Sequence, residues 1–157
     1  MFSTRAEYGV RVMAHLAANG GDGPVALAAI AEAEGLPLAY LEHLVRRLRQ
    51  AGLVTSRRGA RGGYALARPA DAIAMSEVVS ALEGAIAPIE CITAGAGAGE
   101  DPVCAREAAT DRACPTKLLW TRVQGAIVGT LEGISLADLV RPTATENGTR
   151  QRKRTAA

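Results

Sequence analysis

The chain has 157 residues and a formal net charge of +2, with 48% hydrophobic but only 3% aromatic side chains. That length supports one real core and leaves little room for a second, and the shortage of aromatics leaves Leu, Val, Ile and Ala to build it, which favours helices. No apolar run reaches the ~18 residues of a membrane span, and the opening MFSTRAEYGVRVMAHLAANGG carries charge inside its apolar pattern, so no signal peptide is expected and the chain is predicted to be cytoplasmic.

Val10, Met13 and Ala17, with Val12 and Leu16 beside them, recur at helical spacing and predict an amphipathic helix over about residues 4–18, ended by Asn19-Gly20-Gly21. A second helix fits ALAAIAEAEG and is stopped by Gly35; a third fits LAYLEHLVRRLRQAG, entered through Pro37 and stopped by Gly52. Two short helices separated by EGLP form a helix-turn-helix signal. Beyond Gly52, LVTSRRGARGGYALA alternates apolar and polar residues around an Arg- and Gly-rich tip, the pattern of a β-hairpin. That order is the order of a winged helix. A short helix over MSEVVSALEG follows, then the apolar AIAPIECI.

In PTKLLWTRVQGAIVGTLEG, Leu119, Val123, Ala126, Ile127 and Leu131 lie on one stripe, with Pro115 placed as a first helical residue. Its polar face is thin, so burial against a second subunit is expected. ISLADLV adds one or two turns. The predicted organisation is a DNA-binding unit over 1–84, a cysteine-bearing sensor loop over 85–114, a dimerisation helix over 115–141 and a disordered basic tail over 142–157. The predicted fold class is mainly α, a winged helix-turn-helix with a β-hairpin wing and a long C-terminal dimerisation helix.

Charge is unevenly spread. Leu44 to Arg68 holds seven arginines and no acid, whereas residues 71–141 hold five basic and ten acidic side chains. A basic block beside an acidic one suggests a polyanion-facing surface with a separate module behind it. Arg57, Arg58 and Arg61 surround glycines that let a backbone approach a groove closely. The helix before them offers Tyr40, Glu42, His43, Arg46 and Arg47. Glu42 suits a cytosine amino group, and Arg46 and Arg47 suit phosphates. The plain alternative, a solvated basic face, loses ground because a helix-turn-helix stands directly upstream.

All three cysteines, Cys91, Cys104 and Cys114, fall within CITAGAGAGEDPVCAREAATDRAC. An odd number of thiols in a reducing compartment points to metal binding, a reactive thiol or inert burial rather than a disulfide framework. Soft thiolates suit zinc, copper(I) or an iron-sulphur cluster, and the lack of any C-x-x-C lowers zinc. Cys114 lies where the long helix begins, where the helix dipole favours a thiolate.

LPLAYLEHLVRRLRQAGLVTSRRGARGGYALARP, with RAEYGVRVMAHLA before it and LWTRVQGAIVGTLEGISLADLV after it, resembles the Rrf-two family of bacterial winged-helix regulators. The resemblance covers about residues 2–141, and the wing RGARGGYALARP is its most specific piece. It implies a homodimer on a pseudo-palindromic DNA operator, with a long helix crossing between subunits. It also implies an iron-sulphur cluster, 2Fe-2S or 4Fe-4S, on three cysteines that Cys91, Cys104 and Cys114 match in order, although their spacing here is wider. Some members place a histidine three residues after the last cysteine, where this chain has Lys117; others use an acidic residue of the first helix, where it has Glu7. The competing role for Glu7 is a capping box, with Thr4 as the cap of TRAE.

The leading expectation is therefore a cluster-controlled transcriptional regulator and no enzyme. A cluster-free thiol switch on the same DNA-binding frame is the alternative. A small iron-sulphur redox carrier is the reading from another class, and no nucleophile is matched to His15 or His43 to suggest catalysis.

Overall fold

The computed structural model describes residues 2–59, 62–87 and 114–141. Helix α1 (Thr4–Asn19) ends in a 3-10 turn, and α2 (Leu27–Glu34) and α3 (Leu38–Gln50) follow it. The strands β1 (Val54–Arg57) and β2 (Gly63–Leu66) come next, then a second 3-10 turn, α4 (Met75–Glu83), α5 (Lys117–Glu132) and α6 (Leu136–Val140).

Local chemistry accounts for most of these boundaries. Gly35 adopts the left-handed conformation at φ 65° and its N–H donates to the carbonyls of Ala31 and Glu32, closing α2 and turning the chain into α3. Pro37 caps α3, whose last turn carries Arg47 and Arg49 where the dipole favours cations. In α6, Ser135 and Asp138 form a reciprocal capping box. Two expected boundaries differ. Ser3, not Thr4, caps α1, because its hydroxyl accepts from the Arg5 N–H and also donates to Glu83 at the far end of α4. Pro115 lies in a turn before α5, which begins at Lys117.

The hairpin is antiparallel, with Val54 opposite Leu66 and Arg57 opposite Gly63. It is fastened to the helices by a bridge in which Val25 and Tyr64 exchange two backbone hydrogen bonds of 2.8 Å. A second bridge joins Ala74 to Ser135, so the starts of α4 and α6 are held together.

One core runs through the helical frame. Val12, Met13, Leu16, Ile30, Leu41, Leu44, Val45, Leu48, Ile73, Val78, Leu82 and Leu136 are all fully buried. At about 1.5–3 kcal/mol for each large aliphatic side chain, this cluster dominates the favourable side of folding. Leu136 belongs to it, so α6 folds back onto the core that α1, α3 and α4 build. The seam between α1 and α4 is tight. A Cβ on Gly9 would stand 2.2 Å from Leu82 Cδ1, so the absence of a side chain is what lets these helices meet.

Helix α5 behaves differently. It packs along α4, and Gln124 donates to the Ile86 carbonyl at 2.9 Å, yet no residue of α5 is buried. Leu118 and Leu119 are 62% and 56% exposed.

Candidate nucleic-acid interface

The four apolar residues Leu41, Leu44, Val45 and Leu48 turn one face of α3 into the core, so at 3.6 residues per turn the opposite face has to be solvent. That face carries Glu42, His43, Arg46, Arg49 and Gln50, all exposed. Arg49 lies on the edge nearest the hairpin and donates to Ser56 Oγ at 3.3 Å. On the hairpin itself Arg57 and Arg58 are exposed, while Arg61 lies outside the described residues. Among the described residues the side chains of Glu42, His43, Arg46, Arg57 and Arg58 make no hydrogen bond or ion pair, so they are directed at solvent.

Two residues of the predicted set also make contacts within the fold. Tyr40 is half-buried and packs edge-on against Tyr8 of α1, with ring centroids 5.8 Å apart. Arg47 is half-buried and its guanidinium donates to the Leu82 carbonyl at 3.3 Å. Both tie α3 to its neighbours. Sequence periodicity could not separate them from the solvent-facing set, because each stands at the rim of the buried face.

A further cluster, which the sequence did not suggest, links α1 to the end of α2. His15 Nδ1 lies 3.1 Å from Glu34 Oε1, and Arg11 Nε donates to Glu34 Oε2 at 3.1 Å. Arg11 also donates to the Glu34 carbonyl. The His15 hydrogen bond, with Arg11 adding to it against the effect of burial, holds the Glu34 carboxyl below its ordinary value. This staple ends beside Gly35, so it fixes where α2 gives way to the turn before α3.

Of the candidate sensor residues, Cys91 and Cys104 lie outside the described residues. Cys114 is half-buried just before α5, with Sγ 3.3 Å from Thr116 Oγ1, and its carbonyl accepts from the Lys117 N–H. Glu7 is exposed in the first turn of α1. With the cap role taken by Ser3, the Glu7 carboxylate makes no hydrogen bond or ion pair among the described residues. It lines an apolar groove of about 580 Å³ formed by the start of α1, α4, the end of α5 and α6, where Val10, Val79, Leu131 and Leu139 also lie. Among the described residues no three potential ligands gather into a metal site, and no helix is long and apolar enough to cross a membrane.

Residues 2–142 match the sequence model of the Rrf2 family, described as an iron-dependent transcriptional regulator. Protein rrf2 of Nitratidesulfovibrio vulgaris Hildenborough is 40% identical over 139 residues, 88% of this chain and 86% of that protein. The HTH-type transcriptional regulator IscR of Escherichia coli is 38% identical over 138 residues, 88% of this chain and 78% of its own length. Among solved structures, that of CymR, described as the global cysteine regulator of B. subtilis, superposes with a TM-score of 0.69 at 38% identity, covering 91% of this chain and 98% of that one. With a mostly helical frame, an antiparallel hairpin and matches that span nearly the whole chain, the protein belongs to the Rrf2 family of winged-helix, DNA-binding transcriptional regulators.

Proposed function

We propose that the protein represses transcription as a homodimer whose affinity for a pseudo-palindromic operator is set by an iron-sulphur cluster. The observation that carries the DNA half of this reading is the solvent-directed face of α3, where the side chains of Glu42, His43 and Arg46 have no partner among the described residues, beside an Arg-bearing hairpin. Placed in the major groove, α3 presents Glu42 and His43 to base edges and Arg46 to the backbone, and the wing sets Arg57, Arg58 and Arg61 against an adjacent groove. Tyr40 and Arg47 position the helix. The exposed apolar residues of α5 and the groove beside α1 support the dimer, since a second copy would remove both from water.

For the sensor, three thiolates and one carboxylate form a donor set whose chemistry suits an iron-sulphur cluster. Cys91, Cys104 and Cys114 would hold it, with Glu7 as the fourth ligand. When bound, such a cluster supplies a centre that oxidants, nitric oxide or iron shortage can alter or remove. Cys114 would restrain the start of α5, and Glu7 would restrain α1. Through the Tyr8–Tyr40 contact α1 bears directly on α3, so a pull on α1 can change the spacing of two recognition helices that must lie about one DNA turn apart.

Anaerobic purification followed by visible absorption and iron and sulphide analysis tests the cluster. Coloured, iron-bearing protein that bleaches in Cys91→Ser, Cys104→Ser and Cys114→Ser variants is expected; colourless protein without iron refutes it. Similarity to CymR gives a second reading specific support, a direct thiol switch in metal-free protein. That reading requires a dithiothreitol-reversible change in operator affinity without metal. Membership of a family of transcriptional regulators sets the electron-carrier reading aside.

A further inference from the structure

The start of α3 leaves in water a large aliphatic side chain that the core does not take up. Leu38, its first residue, is 42% exposed, whereas Leu41, Leu44 and Leu48 of the same helix are fully buried. It belongs neither to the core nor to the partly buried residues packed on it. The usual local reason for an apolar residue here is a hydrophobic staple across the helix entry. With Pro37 as the cap, the staple positions are Leu36 and Leu41, and both lie in the core without Leu38. The other large exposed apolar residues among those described have other surroundings: Phe2 and Leu139 line the groove beside α1, and Leu118 and Leu119 stand at the start of α5.

Leu38 precedes Glu42 by four residues and Arg46 by eight, so it lies on their exposed stripe, one turn nearer the helix start. Ala39 beside it is exposed too, while Tyr40 packs on Tyr8 and Leu41 is buried. The exposed side chains of this first turn therefore carry no hydrogen-bonding group. In a major-groove helix the N-terminal residues are the ones that meet base edges. An aliphatic surface there cannot read donors and acceptors, and it leaves those it covers dehydrated and unpaired. What it matches in that groove is the C5-methyl of thymine.

Resting on the assignment of α3 to the major groove, we infer that Leu38 is a specificity-determining residue that packs on a thymine methyl in each operator half-site. The contact is made by burial and dispersion, not charge, so it selects sequence without adding to the salt dependence. It rejects a G·C pair at that step, because guanine N7 and O6 and the cytosine amino group would be covered without partners.

The protein, held in one redox state, first selects its own duplexes from a randomised library. The enriched duplex is then remade with deoxyuridine at each thymine in turn, in both half-sites together, which removes the C5-methyl and keeps the base pair. Burial of one methyl corresponds to about fourfold in affinity, so at one thymine position the change should weaken binding about fifteenfold over the two copies, read by fluorescence anisotropy. Leu38→Ala should bind the thymine duplex about as weakly as wild type binds the uracil duplex and no longer tell the two apart. Leu38→Met should restore the difference. A variant that merely loosened the helix would bind both duplexes more weakly and keep their ratio. An enriched half-site without thymine, a wild type indifferent to the methyl at every thymine, or a Leu38→Ala variant that keeps the full ratio overturns the inference while arginine-dependent binding survives. If no duplex is enriched, or if Arg46→Gln and Arg58→Gln leave binding unchanged, the assignment of α3 and the wing to DNA fails, and the inference with it.

Discussion

Replacing Gly9 by Ala tests whether the α1–α4 seam holds the frame that carries both α3 and the candidate sensor residues. The new Cβ would lie 2.2 Å from Leu82 Cδ1, closer than carbon atoms can stand, and 3.0 Å from Cδ2. Overpacking of this kind costs about 1–3 kcal/mol, whereas Gly to Ala inside a helix returns about 1 kcal/mol. The net result should be a loss of about 0–2 kcal/mol. Leu82 is fully buried, so Leu82→Ala alone should cost about 2–5 kcal/mol. In that background the obstruction is gone and only the helical gain and some filling of the cavity remain, so adding Gly9→Ala should restore about 1 kcal/mol. Urea unfolding followed by far-UV circular dichroism, at one fixed protomer concentration because a dimer's stability depends on it, gives all four corners of the cycle. If Gly9→Ala shifts stability equally in both backgrounds, to within about 0.5 kcal/mol, the two residues are not in contact and the seam is wrongly described.

Two further outcomes follow from the turn between α2 and α3. Gly35→Ala meets no atom within 4 Å, yet must hold φ 65°, so it should lose about 1 kcal/mol or more in the same unfolding assay from backbone conformation alone. Glu34→Gln tests the staple to His15 and Arg11: a carboxyl depressed in the folded state stabilises fully above its unfolded value and loses that contribution as pH falls through the folded one. The variant should therefore be less stable than wild type near pH 7 by a few tenths to about 1 kcal/mol, and the gap should narrow as pH falls below the ordinary carboxylate range, as read by unfolding midpoints across a pH series; a constant gap refutes the linkage.

Much of this protein is legible from short-range pattern. The apolar spacing of α1 and α3, Gly35 after α2 and the Arg- and Gly-rich hairpin all act within a few residues of themselves, and local backbone preferences carry them from sequence to element. The family resemblance, which the matches to known regulators bear out, rests on the same stretches. The roles of individual side chains are less legible. Tyr40 and Arg47 share α3 with Glu42, His43 and Arg46, and only contact with Tyr8 and with the Leu82 carbonyl separates those that position the helix from those that face solvent.

The sequence by itself determined the order of helices and hairpin, the basic block at α3 and the wing, and the confinement of all three thiols to one stretch, because composition, period and turn chemistry are properties of neighbouring residues. Only the tertiary structure decided that Ser3 rather than Thr4 caps α1, that Gly9 admits Leu82, and that Glu34 gathers His15 and Arg11. Each of these depends on groups brought together from distant parts of the chain. Such pairings cost chain entropy and form only when the shared core supplies the free energy to hold them.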